Sequence, residues 1–88
     1  MRYYIVVYDV NEKRVGKVHR VLRSYLQWRQ NSVFEGYLDE SEVAELKRKL
    51  NGVINEEEDS ILFYSLPSDR VLRTFHLGKP PDRFENVI

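Results

Sequence analysis

The pattern of the chain predicts an α+β fold, with two amphipathic helices packed on one sheet. First, Tyr3 to Tyr8 is an uninterrupted apolar and aromatic run rich in β-branched residues, which favours strand over helix. Second, two later stretches repeat their apolar residues at three- and four-residue steps. Third, aromatic and β-branched runs lie between and after those stretches. The order is strand, helix, strand or strand pair, helix, strand, strand. Two strand–helix–strand halves in one small domain predict a ferredoxin-like βαββαβ sheet with both helices on the same face.

The first run, Arg2 to Val10, has no polar face and reads as a strand buried on both sides, central in its sheet. Asp9 stands at its end, where a buried acid is costly unless paired or cation-bound. Asn11 is a good N-cap and Glu12 sets a negative charge at the helix start. Val15, Val18, Val21, Leu22, Tyr25 and Leu26 form the apolar side of the first helix. Lys13, Lys17 and Arg20 fall on its solvent side, with Arg23 beside them, as a cationic stripe. Gly16 in its first turn allows close backbone approach.

Gln27 to Leu38 is rich in strand formers. Asn31 and Gly36 mark a bend, a bulge or a reversal, so the stretch is one long bent strand or two short ones. Asp39 and Glu42 have the spacing of a capping box. Val43, Leu46, Leu50, Val53 and Ile54 then make the second helix, with Asn51-Gly52 at its C-cap. Asn55 to Asp59 is an acidic loop. Ser60 to Leu66 is a strand, Pro67 to Arg70 a turn, and Val71 to Leu77 a strand with mixed sides. Gly78-Lys79-Pro80-Pro81 breaks the pattern. The domain is expected over residues 1–78, with 79–88 an arm whose Phe84 to Ile88 forms a short final strand or docks elsewhere.

Eighty-eight residues make one domain with a limited core, and both helices on one face leave the other face bare. A homodimer packing two bare faces together would cover it. The absence of cysteine excludes a disulfide framework and thiolate metal sites, in keeping with the cytoplasm. The N-terminal run is too short to span a bilayer and lacks the pattern of a signal peptide, so no membrane role is expected. A formal charge of zero hides an asymmetry. Lys13 to Arg29 holds six cations and no acid, whereas Glu35 to Asp59 holds nine acids and three cations. Such a basic segment suits a polyanion, although oppositely charged solvated helix faces would look the same.

Asp9 is the leading candidate for chemistry. Its carboxylate is a hard ligand suited to Mg2+ or Mn2+, and a symmetric dimer would bring a second. A metal so held would support attack on a phosphodiester. The other reading is an acid that merely turns the chain after its strand. The six tyrosines read as core or interface residues, Tyr8 excepted because it adjoins Asp9. Trp28 reads as core. His19 and His76 lack a second ligand at metal spacing. No Gly-rich phosphate loop or Ser-His-Asp set is present.

Val6-Val7-Tyr8-Asp9-Val10, the basic helix, Gln30-Asn31-Ser32-Val33-Phe34-Glu35-Gly36 and Asp59 to Leu66 together resemble the small CRISPR-associated nuclease, CRISPR-associated protein 2. It is the lesser of the two proteins that acquire new spacers. The resemblance covers nearly the whole chain. It implies a ferredoxin-like homodimer with sheets face to face, the C-terminal strand lent to the partner, and Asp9 binding a divalent metal across the dimer axis. It implies metal-dependent cleavage of RNA or DNA, with Tyr8 and Phe34 as further site residues and Arg14 and Lys17 on phosphates; the basic run adds Lys13, Arg20 and Arg29 as expected nucleic-acid contacts. Arg29 stands one residue away from the family's usual arginine, a position held by Trp28, and a one-residue shift turns a strand side chain to the other face. The alternative to an endonuclease is a non-catalytic dimeric adaptor bridging copies of the larger CRISPR integrase on duplex DNA. A ligand-sensing regulatory domain would need a Gly-rich loop that the chain lacks.

Overall fold

The computed structural model describes residues 1–79. Its elements are β1 (Arg2–Asp9), α1 (Glu12–Arg23), β2 (Gln27–Gln30), β3 (Val33–Leu38), α2 (Glu40–Asn51), β4 (Ser60–Leu66) and a short 3-10 turn, Asp69–Val71. The four strands form one sheet in the order β2-β3-β1-β4, every neighbouring pair antiparallel. This is the expected ferredoxin-like arrangement, and β1 is a central strand.

Pleating splits β1 into two sets of side chains. Val6 and Tyr8 enter the core with Phe34 and Leu38 of β3, Val18 and Leu22 of α1, Leu26, and Leu46 and Leu50 of α2. Tyr4, Ile61 and Phe63 pack against that cluster. Tyr3, Ile5, Val7 and Asp9 point the other way, beside Leu62 and Tyr64 of β4, which pair with Val7 and Ile5. Leu62 and Tyr64 are about half exposed, at 50% and 52%. The expectation of burial on both sides therefore holds fully on the helix side and in part on the other, where Tyr3 is buried, Ile5 and Val7 are half-buried and Asp9 is exposed.

Local chemistry explains the element boundaries. The Asn11 side chain accepts from the Lys13 N–H and starts α1. Asp39 and Glu42 form the reciprocal capping box that starts α2. The turn that follows α1 is tied to α2 where the Tyr25 hydroxyl donates to Glu45 at 2.5 Å. Gln27 to Leu38 is two strands, reversed at Asn31 and Ser32. Asn31 has a positive φ of 43°, which asparagine tolerates better than most residues, and its carbonyl accepts from Trp28 Nε1 at 2.9 Å. Gly36 lies within β3 and serves close packing instead, since a Cβ there would lie 3.1 Å from Leu26 Cδ2.

One predicted strand is absent. Val71 opens no strand but ends the 3-10 turn, and residues 72–77 are irregular. A strand needs a neighbouring edge, and this segment is drawn away from β4. Asp69 is pinned to β3, with its carboxylate accepting from the Tyr37 hydroxyl at 2.6 Å and its N–H donating back to that hydroxyl at 3.0 Å. The chain then passes over the sheet's second face, where Leu72, Thr74 and His76 line a cavity of about 250 Å³ with Ile5, Arg29 and Glu35. The strand or arm expected at Phe84 to Ile88 lies outside the described residues. No helix among the described residues is long and apolar enough to cross a membrane.

Phe34 is fully buried at the centre of the core. Phe34→Ala is expected to cost about 3–5 kcal/mol, read as a lower urea midpoint and melting temperature.

Candidate active site

Asp9 is the last residue of β1, and its side chain leaves the sheet on the face that the helices do not cover. It is exposed, and among the described residues its carboxylate accepts no hydrogen bond and joins no ion pair. Across the ladder it pairs with Ser60, the first residue of β4, so the Ser60 side chain shares its face. A bare carboxylate beside a hydroxyl is a hard-oxygen donor set for Mg2+ or Mn2+. That pair alone is an incomplete donor set, since among the described residues no group of three or more His, Cys, Asp or Glu could hold a metal.

Tyr8 and Phe34, expected in the site, lie on the opposite side of the sheet from the Asp9 carboxylate. Tyr8 is 6% exposed and Phe34 fully buried, and their rings stand 6.3 Å apart. His19 meets both, with its ring 5.0 Å from that of Phe34 and its Nδ1 3.4 Å from the Tyr8 hydroxyl. Adjacency to Asp9 in sequence thus separates Tyr8 from it in space, because successive strand residues face opposite ways. Burial raises the Tyr8 hydroxyl pKa, so it stays protonated near neutrality.

The five expected nucleic-acid contacts divide into three groups. Lys13, Lys17 and Arg20 are exposed along α1 and make no ion pair among the described residues. Arg29 lies in β2 on the face without helices, beneath residues 72–76, where its Nε is 3.2 Å from Glu35 Oε1. That carboxylate also accepts from the Tyr3 hydroxyl at 2.9 Å. Burial, followed by the bond to Glu35, pushes the Tyr3 pKa strongly upward.

Arg14 belongs with neither the stripe nor the sheet. Its Nε and Nη2 reach Asp59 Oδ2 and Oδ1 at 2.6 and 3.1 Å, and Nη2 also reaches Glu58 at 3.2 Å. Asp59 Oδ1 takes the Asn11 backbone N–H and Oδ2 that of Asn55, both at 2.8 Å. Each carboxylate oxygen therefore receives one backbone N–H and one guanidinium N–H, and the side chain is wholly buried. These charge-assisted bonds offset desolvation. The Arg14 guanidinium, helped by the Asn55 and Asn11 amides, holds the Asp59 carboxyl well below the usual carboxylate range. Sequence reasoning placed Asp59 in an acidic loop and missed this role. Its one local signal was an acid directly before a strand, and the partner is 45 residues away.

A family model described as CRISPR associated protein Cas2 matches residues 1–74. The chain belongs to the Cas2 family. A relative named CRISPR-associated endoribonuclease Cas2 from Thermotoga maritima is 46% identical over 84 residues, covering 93% of this chain and 97% of that protein. Another of the same name, from Dictyoglomus turgidum, is 42% identical over 86 residues, covering 98% and 99%. Among solved structures, one described as a crystal structure of Cas2 superposes with a TM-score of 0.84 at 43% identity, covering 92% of this chain and 91% of its own. Streptococcus pyogenes Cas2 gives 0.71 at 35% identity, covering 84% and 99%. Membership agrees with the resemblance carried by the strand ending in Asp9 and by the string from Gln30 to Gly36.

The depressed Asp59 value fixes a pH dependence. Its folded pKa lies below its unfolded value, so its stabilisation is full above about pH 4 and is lost as pH falls toward the folded value. Asp59→Asn is expected to lower the urea midpoint at pH 7, and to remove part of the acid-side decline that the unmodified chain shows between about pH 4 and pH 2.

Proposed function

We propose that the protein is a metal-dependent endoribonuclease of CRISPR adaptation, working as a homodimer whose two Asp9 carboxylates share one catalytic site. The observation that carries this reading is the bare Asp9 carboxylate at the end of a central strand, on the sheet face that carries no helix. An exposed carboxylate with no partner among the described residues is free to serve as a ligand. Leu62 and Tyr64 on the same face give a second copy a surface to bury, which would carry the two carboxylates toward one another. The names of the relatives supply the substrate class, RNA.

Asp9 from each chain would hold Mg2+ or Mn2+, and the bound ion would polarise a phosphoryl oxygen and lower the pKa of a bound water. The remaining work falls to the chain itself. Lys13, Lys17 and Arg20 neutralise backbone phosphates and set the strand's path, without reading sequence. Tyr8 and Phe34 are assigned a positioning role, filling the core beneath the strand end. The larger integrase is assigned to the acidic loop after α2, where Glu56 and Glu57 are exposed, suited to a basic partner. The cytoplasm is the compartment that this reading requires.

Asp9→Asn keeps the shape and removes the charge. It is expected to abolish metal-dependent RNA cleavage while leaving the melting temperature and the oligomeric state in place; undiminished cleavage by the purified variant would refute the assignment. Reversing Lys13, Lys17 and Arg20 to Glu should weaken RNA binding and flatten its dependence on salt, by about 0.7 in the log–log slope for each phosphate no longer neutralised. Tyr64→Asp should shift the chain toward monomer in sedimentation, with cleavage falling in step.

A further inference from the structure

We propose that Arg14 and Asp59 form a positioning pair that fixes the short β1–α1 link directly after Asp9, and that Arg14 is not a phosphate contact. The inference rests on the assignment of Asp9 to catalysis. Asp59 and Ser60 are consecutive residues that hold both ends of the short link between β1 and α1. Ser60 pairs with Asp9 across the ladder, and Asp59 Oδ1 accepts from the Asn11 N–H two residues further on. Asp59 also closes its own loop, with its N–H donating to the Asn55 carbonyl and its Oδ2 accepting from the Asn55 N–H, each at 2.8 Å. Asn11 extends the link by donating from Nδ2 to Glu58 at 3.2 Å. The loop before β4 and the loop after β1 are thereby locked together at the edge of the site.

Arg14 makes that lock possible. A wholly buried carboxylate needs a counter-charge, and the planar guanidinium fork meets both Asp59 oxygens at once, which a lysine ammonium does not. Lys13 and Lys17, one residue before and three after, are exposed and remain available to nucleic acid. Position in the basic run predicted the same role for all three, but the ion pair separates Arg14 from the stripe.

The test compares Arg14→Ala, Arg14→Lys, Asp59→Asn and the Arg14→Ala/Asp59→Asn double variant with the unmodified protein and with Asp9→Asn, below every melting transition. The readouts are kcat and KM for metal-dependent RNA cleavage, the salt dependence of RNA binding, and amide hydrogen exchange at Asn11 and in β1. A supporting-residue role predicts that each single variant loses about 10- to 100-fold in kcat with little change in KM. The double variant should lose no more than the worse single, because both changes break one interaction. Exchange should quicken at Asn11 and not at Val6, and the salt slope should stay unchanged. Three results overturn the pairing: a salt slope lowered by Arg14→Ala with Asp59→Asn cleaving normally, additive losses in the double variant, or exchange quickened equally throughout. Failure of both single variants and of Arg14→Lys to fold would also overturn it, by making the pair a general prop of the fold. Full cleavage by Asp9→Asn sinks the catalytic reading itself; an inactive Asp9→Asn beside fully active Arg14 and Asp59 variants sinks only the pairing.

Discussion

The two-residue alternation of β1 is the constraint on which the structure depends. One set of its side chains, Val6 and Tyr8, is inserted beneath two helices and joins the core. The other set ends in Asp9, on the face where no helix lies. Had both helices not packed on the same side, the acid would need an internal partner or would be absent. Fold and site are thus consequences of the same pleat: the strand at the centre of the core also projects a charged group into the open.

That projection is steadied by chemistry beside the strand. The Asp59 carboxylate draws in two backbone amides and the Arg14 guanidinium. It thereby joins the start of α1 to the loop preceding β4, segments that sheet pairing alone leaves unjoined. On the face without helices, Glu35 gathers Tyr3 and Arg29 in a similar way. In both clusters a buried acid is balanced by an arginine, as a low-dielectric setting demands. The cations left exposed on α1 are those that no acid of the described residues has claimed.

Much of the fold was legible in the sequence. The apolar run of β1, the 3.6-residue periods of α1 and α2 and the Asp39–Glu42 cap are local signals, and each element formed there, although Tyr25 and Leu26 lie past the end of α1 and Val53 and Ile54 past the end of α2. The division of Gln27 to Leu38 was less legible, because Asn31 and Gly36 looked alike as breakers. Only Asn31 takes the left-handed conformation at the reversal, while Gly36 makes room for Leu26. The segment from Val71 misled because its strand-like composition does not reveal whether an edge is within reach, and the Tyr37–Asp69 bonds carry it elsewhere. At the site, Asp9 stood out as an acid closing an apolar strand. The roles of Arg14 and Arg29 did not, because each depends on a distant acid brought close only by folding. Tyr8 was misplaced by its nearness along the chain, where strand geometry turns neighbours apart.

The central claim is that Asp9 is the group that receives the divalent ion. Titrating the isotope-labelled protein with Mn2+ and following paramagnetic line broadening of its amide signals addresses this directly. The account predicts that Asp9, Val10 and Ser60 broaden first, and that Asp9→Asn removes the effect. Broadening centred on the acidic loop at Glu56 to Glu58, with Asp9 and Ser60 left sharp, would contradict it.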